Sequence, residues 1–347
     1  MNPFWSVTSG VLLYLFAAKL GFAQSKIVNI YLVGGEVPQQ LIWDFQKETG
    51  IKVNLSTYES NEAMYAKLHA NRKHIYDVIL PSSYYVERMK RHDMLTSLDL
   101  TKLPNSKNID PFFAKNPYDP EFQYHVPLVW GATGIFYNKR WIKHPPTSWK
   151  GLWKPAFINQ LMLLDDMRDV FSISLVSLGY EPNDSDPKHI KQAYQHLLQL
   201  VPNIKLFASN AIKSLIIDED ALIGTSWNGD IVKAQSENPH IHFIYPEEGS
   251  LLWVDCLAIP KQAPHLEEAY QFINFLLRAQ SGAKIVLAEG YSTANLASKE
   301  LLPENIRNNP AVFPEKHTLE HGFYLRDVGE NVLGLYNTYW EQLKLAC

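Results

Sequence analysis

The chain has only two cysteines in 347 residues, Cys256 and Cys347, too few for a disulfide framework or a cysteine-rich zinc module. Cys256 stands inside the apolar run Leu251 to Ile259, where a free thiol acts as a small hydrophobe. There is little imbalance of charge: 32 Lys and Arg against 36 Asp and Glu leave -4, which excludes a protein whose main partner is nucleic acid or an acidic membrane. Gly34-Gly35 lacks the further Gly, Lys and Ser/Thr of a phosphate loop. The pairs His317/His321 and His240/His242 have no spaced third ligand, so neither a metal nor any other cofactor is implied. No G-x-S-x-G elbow, internal repeat or low-complexity tract is present. Beyond residue 23 no apolar run approaches the roughly 20 residues needed to cross a membrane.

What is there begins with the unbroken apolar run Val11 to Ala18, followed by Gly21-Phe22-Ala23 with small residues where a cleavage site needs them. No Lys or Arg precedes the run, so the α-amino group is the one positive charge ahead of it. Residues 1–23 are therefore expected to be a secretory signal, removed to leave a soluble, exported protein. The hydrophobic fraction of 46% over this length suits about two packed domains.

The pattern after the signal alternates. Ile27 to Val33 predicts a strand, Pro38 to Thr49 a helix closed by Gly50, Ile51 to Leu55 a strand of period two, Asn61 to about His69 a helix, and Tyr76 to Leu80 a third strand. Such a βαβαβ start argues for an α/β fold with mainly parallel sheets flanked by helices. Later, Gln160 to Leu164, Ala221 to Thr225 and His240 to Tyr245 predict strands, and Arg168 to Leu178, Pro187 to Leu200, Leu266 to Leu277 and Val328 to Leu345 helices. Val126 to Phe136 and Leu251 to Ile259 are extended apolar stretches without turn signals, suited to crossing between two domains. Two crossings make the first domain discontinuous: 24–131 with 256–300, against 132–255 with 301–347.

In open α/β sheets ligands bind beyond the carboxyl ends of the strands. The residues there are Gly34, Gly35 and Glu36; Ser82, Ser83, Tyr84 and Tyr85; Asp165, Asp166 and Asp169; and Trp227, Asn228 and Asp230. Trp253 and Asp255, two apart in an extended run, share a face. Carboxylate, hydroxyl and ring together suit a protonated amine, whose charge they balance and whose methylenes they cover. Carbohydrate sites use the same palette. Asp166 and Asp169 at a helix start also fit an N-cap and a first-turn acid with no ligand at all. Trp227, Trp253, Tyr84 and Tyr85 are equally compatible with a core.

Several segments are specific. Phe45-Gln-Lys-Glu-Thr-Gly-Ile-Lys-Val53, Ser56-Thr-Tyr-Glu-Ser-Asn-Glu62, Pro81-Ser-Ser-Tyr-Tyr-Val86, Leu164-Asp-Asp-Met-Arg-Asp-Val-Phe171, Trp227-Asn-Gly229, Leu257-Ala-Ile-Pro260 and Asp327-Val-Gly329 resemble, in order along the chain, the spermidine/putrescine-binding proteins of polyamine ABC transporters, the PotD type. The resemblance implies a two-lobed periplasmic binding protein of type II. It would close around a polyamine between lobes joined by hinge strands, and hand it to inner-membrane permease subunits. It implies no catalysis. The family's carboxylates fall on Asp166, Asp169 and Asp255, its rings on Tyr84, Trp227, Trp253 and Tyr291, and its hydroxyl on Ser82.

The departures are local. The family's Trp-Thr/Ser-x-Tyr motif after the first strand is replaced by Val33, Gly34, Gly35 and Glu36, and a Gln near the C-terminus by Leu325. Glu36 then either adds a fourth carboxylate to the site or faces solvent in a wider cleft. A sensor docking on a receptor would carry the same features, and a glycosidase using Asp166 and Asp255 as acid and base would use the same residue types.

Overall fold

The computed structural model describes residues 26–70, 75–114 and 118–347; the expected signal at 1–23 lies outside them. In chain order the elements are β1 (Ile27–Val33), α1 (Gln39–Thr49), β2 (Lys52–Tyr58), α2 (Asn61–Ala70), β3 (Val78–Ile79), α3 (Ser83–Arg91), α4 (Pro111–Ala114), β4 (Val126–Asn138), β5 (Leu161–Leu163), α5 (Met167–Ser177), α6 (Pro187–Leu200), β6 (Ile204–Phe207), α7 (Ile212–Ile217), β7 (Ile223–Trp227), α8 (Asn228–Glu237), β8 (Ile241–Ile244) and β9 (Leu251–Leu257). There follow α9 (Leu266–Leu276), α10 (Ala279–Glu289), β10 (Ser292–Thr293), α11 (Leu296–Lys299), α12 (Glu304–Arg307), α13 (Lys316–Glu320), β11 (Phe323–Tyr324) and α14 (Glu330–Ala346).

Local chemistry sets these boundaries. Pro38 opens α1, and Gly50, left-handed at φ 70°, ends it by donating its N–H to Gln46 O at 2.9 Å. Asp186 caps α6 and Pro187 fills its first turn, where a missing N–H costs nothing.

Among the described residues the strands form two sheets. β2-β1-β3 is parallel throughout. The larger sheet, β11-β9-β4-β7-β5-β6, is parallel around β5 and antiparallel around β4, which also pairs with β8 and β10. β2 is an edge strand, and Leu55, expected on its buried face, is 41% exposed. The strand expected over Tyr76 to Leu80 is confined to Val78–Ile79.

The first core gathers Val28 and Ile30 of β1, Phe45 of α1 and Phe272 and Ile273 of α9. Phe45 meets the rings of Phe272 and Phe275 edge-on, at 5.1 and 5.4 Å, and burying such a side chain contributes about 1.5–3 kcal/mol. The second core surrounds Trp149 and Phe171, closed by Tyr336 and Leu343 of α14. Long strands β4 and β9 run antiparallel between the two, paired from Val126↔Leu257 to Thr133↔Leu251 with a register shift between Pro127 and Val129. Val126, Val129 and Leu257 sit in the first core, Ile135 and Leu251 in the second. Cys256, on β9, is buried and unpaired; Cys347 is exposed.

Candidate functional site

Five chain turns converge between the two cores. After β1 the chain turns at Gly35, left-handed at φ 84°, and delivers Glu36. β3 runs into Ser82 and the first turn of α3 with Tyr84; β5 into Asp166, the cap of α5, and Asp169 in its first turn; β7 ends at Trp227. β9 passes with Trp253 and Asp255, and Tyr291 precedes β10. All nine of these expected site residues line one cleft of about 570 Å³.

Asp255 anchors one part of it. Ser82 Oγ donates to Asp255 Oδ1 at 2.5 Å and is itself held by Asn61 Nδ2 at 2.9 Å. Asn61 Oδ1 also accepts the Ser82 N–H at 3.0 Å, so the hydroxyl has one orientation. Asp255 is 7% exposed, and burial raises its pKa against the opposing effects of Glu36 and the Ser82 hydrogen bond. Glu36 is equally buried, facing the cleft rather than bulk solvent; burial and then the Asp255 charge push it well above the usual carboxylate range.

A second carboxyl group of residues lies at α5. Asp166 Oδ1 accepts the N–H groups of Arg168 and Asp169 at 2.8 and 3.0 Å, so its cap role and its place in the cleft coexist. Burial raises Asp166 despite those bonds. Asp169 is 3% exposed; burial and then the Asp166 charge push it up to about 8, although Thr133 Oγ1 donates to it at 2.7 Å and Trp227 also hydrogen-bonds it. Burial therefore does not set Asp255 apart from Asp169. Arg168, behind them, has its guanidinium 5.6 Å from the centre of the Tyr84 ring and its donors on Arg326 O and Asn183 Oδ1.

The rings line the remaining wall. Trp253 and Tyr291 meet edge-on at 5.2 Å, and the Trp253 Nε1–H is buried without a protein acceptor. They lie on backbone at Gly131 and Gly229, where an added Cβ would stand 2.3 Å from Trp253 and 2.1 Å from Tyr291. Among the described residues no group of three His, Cys, Asp or Glu is arranged to hold a metal. Buried carboxylates beside ring faces, with few donors, suit an organic cation with apolar links.

A profile described as bacterial extracellular solute-binding protein matches residues 40–314. The chain belongs to that family. It is 42% identical over 331 residues to spermidine/putrescine-binding periplasmic protein 1 of Haemophilus influenzae, covering 95% of this chain and 92% of that one. It is 40% identical over 309 residues to the spermidine/putrescine-binding periplasmic protein of Escherichia coli K12, covering 89% and 88%. The crystal structure of the spermidine/putrescine ABC transporter substrate-binding protein PotD from Streptococcus pneumoniae has a TM-score of 0.81 at 34% identity, covering 93% of this chain and 99% of that one. The two-lobed periplasmic binding protein fold is thus shared.

The cleft of this solute-binding protein also holds Glu62 and Lys233, which the sequence reading passed over, and Asp230, which it placed at a strand end without a role. Glu62 is in the first turn of α2, the same place after β2 that Asp169 holds after β5. Burial, then the Asp166 charge, raise it. Asp230 accepts from Tyr291 Oη at 3.1 Å, and Lys233 follows one turn along α8. The rule that pointed to Asp166, strand end into helix start, would have found Glu62. Leu325, standing for the family's Gln, lines the cleft without a polar group to offer.

Proposed function

We propose that this solute-binding protein captures a linear polyamine, of the putrescine, spermidine and spermine class, in the cleft and delivers it to the inner-membrane permease of an ABC importer. The supporting observation is two buried carboxyl groupings, Glu36 with Asp255 and Asp166 with Asp169, in one ring-lined cleft. A diamine has the matching form: two ammonium ends joined by methylenes. Each charge-assisted hydrogen bond to an ammonium contributes about 1.5–3 kcal/mol and each desolvated ring face about 1–2 kcal/mol.

In the binding step Asp255, oriented by Ser82, takes one ammonium and Asp169, oriented by Thr133, takes another, while Trp253, Trp227 and Tyr84 cover the methylenes. The lobes, 24–131 with 256–300 and 132–255 with 301–347, hinge on β4 and β9 and close over the ligand, excluding water from the charges. No bond is made or broken. The protein works in the periplasm, exported by the segment 1–23, and both the permease and the ligand reach it there.

The relatives' names support the polyamine class, and the retained carboxylates support its chemistry. Isothermal titration of the purified protein with putrescine, spermidine and spermine tests it. Heat of binding with at least one amine, and none with maltose, is expected. Silence with all three amines at low and moderate salt would end this reading.

A further inference from the structure

Among the described residues lining the cleft, Lys233 is the single Lys or Arg. Its Nζ lies 3.8 Å from Asp230 Oδ1, 3.6 Å from Glu289 Oε2 and 5.4 Å from the centre of the Tyr291 ring. The Tyr291 hydroxyl donates to the other oxygen of Asp230. Two carboxylates, a ring face and a hydroxyl therefore surround an ammonium that belongs to the protein. The rest of the cleft offers the same set of groups to an ammonium from outside.

A lysine three residues after an aspartate on a helix is common at surfaces, where such pairs contribute little. Two features separate Lys233 from that case. Its partners are largely buried, with side chains 14% and 17% exposed, and they come from two helices, α8 and α10, at the edge of the ligand cleft. Its charge is also felt at Glu36, the carboxyl that faces Asp255. Burial raises Asp230 and Glu289 alike, and Lys233 is the foremost group opposing it at each. Without a cation there, both carboxyls would be stranded.

Resting on the amine reading of the same cleft, we infer that Lys233 determines ligand length: its ammonium fills a subsite that a further ammonium of a longer polyamine would take, and so closes the cleft at the Tyr291 end. A longer amine must either displace Lys233 from two carboxylates or leave its own last charge outside. Removing the lysine charge opens a ready subsite made of Asp230, Glu289 and Tyr291.

Calorimetric titration of the wild type, Lys233→Ala and Lys233→Arg with putrescine, spermidine and spermine tests this. In Lys233→Ala the spermine-to-putrescine affinity ratio is expected to rise by about tenfold or more, the size of one added charge-assisted contact. Lys233→Arg keeps the wild-type ratio, and Asp230→Asn added to Lys233→Ala cancels the gain. An unchanged ratio in Lys233→Ala, or an equal shift for all three amines, overturns the inference while leaving the amine reading intact. Failure of the wild type to bind any amine overturns both. Melting curves of the free variants identify a folding loss, and Lys233→Met, which keeps the aliphatic stem, then supplies the same readout.

Discussion

The buried carboxyls of Glu36 and Asp255 act on each other within the cleft: burial and then the Asp255 charge raise Glu36, while Glu36 and Ser82 oppose the effect of burial at Asp255. Two ionised carboxylates placed together repel, so the pair favours keeping one proton. Burial, then the Asp255 charge, favour that proton on Glu36. Asp169, pushed up to about 8 by burial and by Asp166, is the corresponding protonated group at α5. Burial at both groupings thus favours a proton where a cation would otherwise balance the charge.

Polyamine binding should therefore expel protons. An ammonium beside Asp169 or Glu36 favours the ionised carboxyl and lowers its pKa below that of the free protein. Affinity falls as pH drops from about 8, the free value of Asp169, toward the lower bound-state value, by up to about one decade per pH unit for each group released. Titration at pH 7 in buffers of different ionisation enthalpy measures the release directly. Net proton release is expected, and a heat independent of the buffer would refute it.

The same shift acts on stability with the opposite sign. Asp169 has an ordinary value of 3.8 and a folded value of about 8, so the folded, ligand-free protein binds more protons than the unfolded chain. Its contribution is fully present below 3.8 and is lost as pH rises through 8. Asp169→Asn keeps the shape and removes the charge. The melting temperature of the free variant should exceed that of the wild type at pH 8.5, while amine affinity drops by about tenfold or more. A variant that melts lower than wild type at that pH, with its affinity intact, would contradict both halves.

How much of this was legible in the sequence differs from element to element. Ile27 to Val33 and Pro187 to Leu200 could be read to the residue, because a short bounded apolar run in the one and an Asp-Pro start in the other are local signals. Asp166 was legible twice over, as a cap and as a candidate site carboxylate; it caps α5 and lines the cleft. Helices α7, α8 and α10 were not. In α8 only Asn228, Gly229, Ile231 and Ala234 are buried, which leaves no apolar stripe to detect. Lys233 and Glu289 become neighbours only when α10 packs against α8, a long-range pairing that periodicity does not encode.

Glu87 and Arg326 fasten the helix that carries Ser82 and Tyr84 to the segment leading into α14. Arg326 donates to both Glu87 oxygens, at 3.0 and 2.6 Å, and Asp327 N–H adds a third bond at 3.0 Å. Burial would raise Glu87, yet these bonds hold it below the usual range. Arg326→Met should cost about 1–3 kcal/mol by leaving Glu87 half-buried without its cation, and should weaken amine binding by loosening α3. A double-mutant cycle with Glu87→Gln, read by chemical denaturation, should give a coupling of about 1 kcal/mol or more. A coupling near zero would show the pair to be ornamental to the fold.

Gly131 and Gly229 set the two rings of the cleft wall in place. A Cβ on Gly131 would fall 2.3 Å from Trp253 Cζ2 and 2.4 Å from Asn228 Oδ1; one on Gly229 would fall 2.1 Å from Tyr291 Cδ1. Asn228 Oδ1 accepts the Ala132 N–H at 3.1 Å and its Nδ2 donates to Ala311 O at 2.7 Å, so that side chain is not free to yield. The ring of Trp253 has to move instead, and Tyr291, which meets it edge-on, moves with it. Gly131→Ala and Gly229→Ala should each cost about 1–3 kcal/mol of stability as overpacking does, and should weaken amine binding by about tenfold or more through the displaced rings. Gly334→Ala on α14, outside the cleft lining, is the internal control, since a Cβ there meets nothing within 4 Å. Calorimetry with tryptophan fluorescence separates the two effects. If Gly131→Ala binds amine as tightly as Gly334→Ala, with an unchanged emission spectrum, Trp253 does not form the wall of the site.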